Sequence, residues 1–385
     1  MKTQKLLSFR TTPTAVEAPL EPRKAPEKRF TVVSQRAGPF NITVKARAFG
    51  PSSRSPVIGR TPTPHRAPLF RSSHHWGLIL AGGDGVRLRD LTRWVSGDDR
   101  PKQFCPLLGN RTLFEATQQR AERSIPANHI LFALNRAHEP YYRDLIRSGL
   151  NSIVQPFNRG TAPAILYGLM HIARLDRDAI VSILPCDHYY SPETAFEAAL
   201  EMGQEIAEQH TDSVLLLGAP PKGPETEYGW IQTGQRIGRD GLFHVQGFKE
   251  KPTLAVAENL YKTGSLWNMF VMVGHVHAFL DIASQTMHHL LTALEPHLTV
   301  TRSNNEIRIP DQLYNQIAAT DFSSQVLASV TDRLLALRLH KLEWSDLGDP
   351  YRVLATLVER DGDLPAWAKL WSEPEDESHA AAATA

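Results

Sequence analysis

From Trp76 onward, apolar runs alternate with amphipathic stretches in a βα rhythm. Trp76–Ala81 and Ala179–Leu184 are continuous apolar runs of strand length, the pattern of strands buried on both faces. Thr112-Leu-Phe-Glu115 is a capping box, in which hydroxyl and carboxylate satisfy backbone donors reciprocally, and it opens a helix to about Arg123. Ile130–Asn135 and Ser152–Gln155 predict further strands, with a helix over Tyr141–Ser148 between them. Ala162–Arg174 places Ile165, Leu166, Leu169 and Met170 on one helical face. Glu193–His210 predicts another helix and Ser213–Gly218 another strand. Past Tyr228 come shorter strands (Gly229–Thr233, His244–Phe248, Phe270–Val273), helices (Val276–Leu294, Asp311–Gln316) and a final amphipathic helix near Tyr351–Glu359. The whole pattern predicts an α/β, Rossmann-like fold, a mostly parallel sheet flanked by helices.

The first 75 residues break this rhythm. They are rich in Pro, Arg, Ser and Thr, as in Pro51-Ser-Ser-Arg-Ser-Pro56, and cannot bury enough apolar surface to offset their ordering entropy. Phe30–Val33 and Phe40–Val44 could form short strands, and the Arg-rich, acid-poor composition also suits a transit peptide. The expected organisation is a disordered basic tail over 1–75, one domain over 76–360 and a C-terminal tail over 361–385.

Charge sharpens the division. The chain of 385 residues has a net charge of +1, from 42 Lys/Arg and 41 Asp/Glu. Residues 1–75 hold 14 of the basic residues and only 3 Glu, so the remainder is acidic by about 10 charges. An acidic domain argues against nucleic acid as partner. The two cysteines, Cys105 and Cys186, lie outside any metal-ligand spacing and fit a reducing cytoplasm. No apolar run reaches the roughly 18 residues of a membrane span, so a cytoplasmic protein without a membrane partner is expected. Whether identical chains assemble into a homo-oligomer stays open.

The candidate chemistry begins where the first strand ends. Leu80-Ala-Gly-Gly-Asp-Gly-Val-Arg87 runs from a strand into a glycine-rich turn closed by a cation, and Arg100-Pro-Lys-Gln-Phe104 follows. Backbone N–H groups of such a turn can close around a phosphate, because no side chain blocks the approach. Leu88 occupies the last glycine position of G-x-G-x-x-G, which disfavours a dinucleotide fold. Asp187 follows the apolar strand ending at Leu184 and therefore stands at the carboxyl edge of the sheet, where α/β folds bind ligands. Mg²⁺ favours one or two carboxylates plus phosphate oxygens.

The glycine turn and the Pro-Lys-Gln run, taken in order with Phe157-Asn-Arg-Gly-Thr-Ala-Pro-Ala-Ile165, Leu184-Pro-Cys-Asp-His188, Glu227-Tyr-Gly-Trp-Ile231, Phe248-Lys-Glu-Lys-Pro252, Leu266-Trp-Asn268 and Trp344-Ser-Asp-Leu-Gly348, resemble the sugar-phosphate nucleotidyltransferases. Mannose-1-phosphate guanylyltransferases are the most similar branch. Three positions depart from that pattern: Val86 replaces a Thr, Gly160 replaces an Asn, and Asn268 runs directly into Met269-Phe270 without the Ser-Gly often found between.

The resemblance implies attack of a sugar 1-phosphate on the α-phosphorus of a nucleoside triphosphate, with GTP and mannose 1-phosphate the leading substrates and Mg²⁺ the cofactor. It implies that Arg87, Lys102 and Asp187 carry the reaction and that Asp187 and Asp346 hold metal. Leu80, Ala81, Gly82, Gly83, Gly85, Gln155, Gly160, Thr161 and Ala162 would bind the nucleotide. Gly229, Glu250, Lys251 and Asn268 would hold the sugar phosphate. His188 reads as a structural neighbour, since an ionised phosphate nucleophile needs no general base. Two alternatives remain: a glucose 1-phosphate uridylyl-, thymidylyl- or adenylyltransferase, or a non-catalytic subunit that senses sugar nucleotides.

Overall fold

The computed structural model describes residues 74–146, 150–238, 241–298 and 305–372. The expected basic tail as far as residue 73, with its two candidate strands, and residues 373–385 lie outside them.

Twelve strands are formed among the described residues: β1 His75–Leu80, β2 Ile130–Asn135, β3 Asn151–Gln155, β4 Ile180–Pro185, β5 Tyr189–Ser191, β6 Val214–Ala219, β7 Gly229–Ile237, β8 Leu242–Glu250, β9 Leu266–His275, β10 Glu306–Arg308, β11 Leu334–Arg338 and β12 Glu343–Ser345. Ten make one sheet, ordered β10-β3-β2-β1-β4-β9-β6-β11-β8-β7, with β7 also pairing β9. The expected parallel pairing holds from β10 through β4 and again between β6 and β11. Between those blocks β9 runs antiparallel to β4 and β6, and β7 and β8 form an antiparallel hairpin. The sheet is therefore mixed.

Burial on both faces explains the apolar strands. Leu78 packs with the helices Thr161–Leu175 and Val276–Leu294 on one side, through Ile165, Leu169, Phe279 and Ile282. Ile79 packs on the other with the helices Leu113–Ala121 and Glu193–Gln209, through Phe114, Phe196 and Leu200. The Thr112 hydroxyl accepts from the Glu115 N–H, and the Glu115 carboxylate accepts from the Thr112 N–H, so the capping box forms as expected. Among the described residues, the helix expected over Tyr141–Ser148 is Glu139–Tyr142. A further helix, Leu254–Lys262, stands where the sequence pattern predicts none.

A third cluster joins Leu88, Leu91, Cys105 and Leu107, beside the glycine turn, to Leu347, Val353, Leu357 and Ala368. The helices Pro350–Asp361 and Ala366–Ser372 supply its later members, so packed structure runs past residue 360 as far as 372. Among the described residues no helix is long and apolar enough to cross a membrane.

Candidate active site

Strand register brings the site together. β1 and β4 are parallel with Leu80 opposite Pro185, and the Cys186 N–H donates to the Leu80 carbonyl at 3.2 Å. The glycine turn and Asp187 therefore leave the sheet side by side at its carboxyl edge. β5 and β12 then form a two-stranded ribbon with Ser345 opposite Tyr189. That ribbon carries His188 and Asp346 to the same place, although they are distant in sequence.

Gly85, Val86, Arg87, Leu88, Lys102, Asp187 and Gly348 line a cleft of about 280 Å³. Gly85 sits at φ +58°, and a Cβ there would stand 3.1 Å from the Lys102 backbone nitrogen, so the close approach of turn and lysine needs glycine. A Cβ on Gly83 would meet nothing within 4 Å, which leaves that side of the turn open. Gln103, to which the sequence pattern assigns no role, donates from Nε2 to the carbonyls of Ala81 (3.0 Å) and Gly83 (2.7 Å) and fixes the turn. Asp84 is held by the Asn158 side-chain amide at 3.0 Å and by His138 at 3.2 Å.

Lys102 is 8% exposed. Its Nζ lies 3.1 Å from the Asp187 carboxylate and donates to the carbonyls of Asp346 (2.6 Å) and Leu347 (3.3 Å). Burial alone would push the Asp187 carboxyl up, but the Lys102 ammonium and His188 outweigh it and hold the group below the usual carboxylate range. Burial pulls the His188 imidazole down. Its Nδ1 accepts from the Trp344 indole N–H at 3.3 Å, which suits the structural role expected of it. Arg87 is at the rim, more than half exposed, and pairs with Glu227 at 3.2 Å. Both cysteines are free and buried, and burial pushes the Cys186 thiol far up, leaving it unreactive beside the cleft.

Gln155, expected among the nucleotide-binding residues, lies beneath the glycine turn. Gln155 is buried, donates to the Leu134 carbonyl at 3.3 Å and accepts from the Tyr314 hydroxyl at 3.0 Å. Its Nε2 lies only 2.8 Å from where a Gly82 Cβ would sit, so the amide packs directly under the turn. Gly160, Thr161 and Ala162 open their helix as expected, clasped by residues 320–322. The Ala162 N–H donates to the Thr320 carbonyl at 3.1 Å, and the Thr161 hydroxyl donates to Asp321 at 3.0 Å.

Of the residues expected to hold the sugar phosphate, Gly229, Glu250 and Asn268 converge. A Cβ on Gly229 would stand 2.7 Å from a Glu250 carboxylate oxygen and 3.3 Å from the Asn268 Cβ. Burial pushes the Glu250 carboxyl up to about 7, with Asp321 adding to the rise and Lys251 opposing it. Lys251 itself is exposed, and its N–H donates to the Tyr228 carbonyl at 3.1 Å.

The two expected metal carboxylates differ in what they offer. Asp187 is partly open, ionised and lines the cleft with the glycine turn. The Asp346 carboxylate accepts from Arg352, Tyr228 and the Gly348 N–H. Among the described residues no group of three or more His, Cys, Asp or Glu forms a cage for an ion.

A profile of the nucleotidyl transferase family matches residues 76–357. The chain belongs to that family. Among relatives of this nucleotidyl transferase, the xanthan biosynthesis protein XanB of Xanthomonas campestris pv. campestris (strain B100) is 32% identical over 209 residues, covering 53% of this chain and 43% of that protein. The mannose-1-phosphate guanylyltransferase of Klebsiella pneumoniae is 25% identical over 311 residues, 78% of this chain and 60% of that one. A crystal structure described as mannose-1-phosphate geranyltransferase from Thermus thermophilus is 30% identical, with TM-score 0.65 over 75% of this chain and 80% of that one. The chain thus spans less than two thirds of the length of the two curated relatives.

Proposed function

We propose that this nucleotidyl transferase moves a nucleotidyl group from GTP to mannose 1-phosphate, giving GDP-mannose and pyrophosphate. The observation that carries the reading is the buried Lys102 ammonium, held 3.1 Å from Asp187 in a cleft shared with the glycine turn. The choice of base and sugar rests on the relatives named for mannose 1-phosphate guanylyl transfer.

A phosphate oxygen of the sugar phosphate is already ionised at neutral pH and attacks the α-phosphorus directly, with pyrophosphate leaving in line. Positioning and charge neutralisation then supply most of the acceleration. The turn at residues 82–85 offers backbone N–H groups to the triphosphate. Lys102 neutralises charge at the reacting phosphate, and Arg87 exchanges Glu227 for the departing pyrophosphate. Gly229, having no Cβ, lets Glu250 and Asn268 close on its backbone, where they would hold the hexose. Asp187 fits one Mg²⁺ shared with phosphate oxygens, which would add charge neutralisation there.

The test is pyrophosphate release across four nucleoside triphosphates and several sugar 1-phosphates, with Asp187→Asn as control. GTP with mannose 1-phosphate should turn over fastest, and Asp187→Asn should abolish turnover with an unchanged circular dichroism spectrum. No pyrophosphate from any pair would sink the proposal.

A further inference from the structure

Asp346 is where the expected metal chemistry and the hydrogen bonding disagree. Its Oδ1 accepts from the Gly348 N–H at 2.9 Å, the Arg352 guanidinium at 3.0 Å and the Tyr228 hydroxyl at 3.2 Å, and its Oδ2 lies 3.2 Å from the same guanidinium. A carboxylate oxygen offers about two lone-pair directions, so Oδ1 is fully subscribed. Arg352 is anchored in turn by Glu225 at 3.0 Å and Asp349 at 3.4 Å, and its guanidinium lies over the Tyr228 ring, 4.4 Å from the centroid. Its side chain is 12% exposed. A planar guanidinium held by three carboxylates and an aromatic face is a fixed charge. A divalent cation could reach Asp346 only through Oδ2, against the repulsion of a guanidinium already 3.2 Å from that oxygen.

The turn beside Asp346 needs such a clamp. Leu347 is fully buried at φ +49°, a left-handed conformation that costs a non-glycine residue. The Ser345 hydroxyl accepts from the Leu347 N–H at 3.1 Å, and the Asp346 carboxylate accepts from the next N–H. In that conformation the carbonyls of 346 and 347 both reach the Lys102 ammonium.

We propose, on the footing of the nucleotidyl-transfer reading, that the Arg352 guanidinium takes the place of a divalent cation at Asp346 and positions the turn that aims Lys102 at Asp187. The active site then carries metal on Asp187 alone. Arg352 acts through Asp346 and the turn, as a positioning residue.

The experiment is a Mn²⁺ titration of the full chain at saturating GTP, read from the free-ion paramagnetic resonance signal, beside kcat and KM. Wild type and Asp346→Asn should each retain one Mn²⁺ per chain with equal affinity, while kcat of the variant falls roughly ten- to hundredfold through misplacement of Lys102. Arg352→Ala frees the carboxylate, so a second, weaker Mn²⁺ should appear and vanish again in the Arg352→Ala, Asp346→Asn double variant. Arg352→Lys should recover much of the kcat lost in Arg352→Ala and bind no second ion. Two Mn²⁺ in wild type, one of them lost or weakened at least about tenfold in Asp346→Asn, would overturn the proposal, since that is the signature of a metal ligand. A wild-type chain that retains no Mn²⁺ with GTP would instead defeat the nucleotidyl-transfer reading, and this inference with it.

Discussion

The Lys102 ammonium stands 3.1 Å from the Asp187 carboxylate and, through the same atom, donates to the backbone carbonyl of Asp346 at 2.6 Å. One buried cation thereby joins three chain segments that meet only after folding. Taking an ammonium out of water costs several kcal/mol unless partners surround it, and here a carboxylate and two carbonyls do so.

Lys102→Met keeps the aliphatic stem and removes the charge. The expected outcome is a kcat lower by about 10²–10³-fold, the cost of one electrostatic contact to a transition state. Stability should fall by about 1–3 kcal/mol as Asp187 and the two carbonyls lose their partner. Steady-state pyrophosphate release and urea unfolding measure the two effects; a wild-type kcat would remove Lys102 from the reaction.

Gln103→Ala tests the brace under the glycine turn. Two carbonyls lose their donor, so the turn should loosen and KM for the nucleotide should rise by roughly tenfold, with a smaller change in kcat. An unchanged KM would show that the turn holds its shape without the amide.

Gly160 stands at φ +81° and ψ −173°, a region open essentially to glycine alone. A Cβ there would lie 2.3 Å from the Thr320 carbonyl oxygen. Gly160→Ala should therefore destabilise the fold by on the order of 1–3 kcal/mol, and Gly160→Asn, which restores the residue usual in the resembling family, should do no better. Thermal melts of both variants decide it: a wild-type Tm would mean that the loop and residues 320–322 part freely.

Glu250 gives the protein a pH dependence of known sign. Its carboxyl titrates at about 7 in the fold against an ordinary 4.5, so the native state binds the extra proton between those values. Stability is lost as pH rises through that window, and the full penalty stands above 7. Glu250→Gln removes the penalty and should stabilise the protein at pH 8 by on the order of 1–2 kcal/mol after solvent screening, with little effect at pH 4. Equal shifts in urea midpoint at both pH values would refute the burial of an ionised Glu250.

Much of the βα half was legible because its signals are local. The capping box at Thr112 and Glu115, the apolar strands and the helix Glu193–Gln209 each depend on residues close in sequence, and each appears in the structure. The ribbon of β5 and β12 was not legible, because three-residue strands carry no period and owe their pairing to what flanks them. The antiparallel course of β9 was hidden for a related reason: a central strand is apolar whichever way it runs.

For the site, residue types along the chain determined the glycine turn, the cation at 102 and the acid at 187, since phosphate chemistry calls for those groups next to a strand end. Tertiary structure alone decided their partners. Gln155 turns inward to Leu134 and Tyr314, and Asp346 is claimed by Arg352. A side chain's hydrogen-bonding capacity is spent on whatever folding brings within about 3 Å, and that neighbourhood is written in no single stretch of sequence.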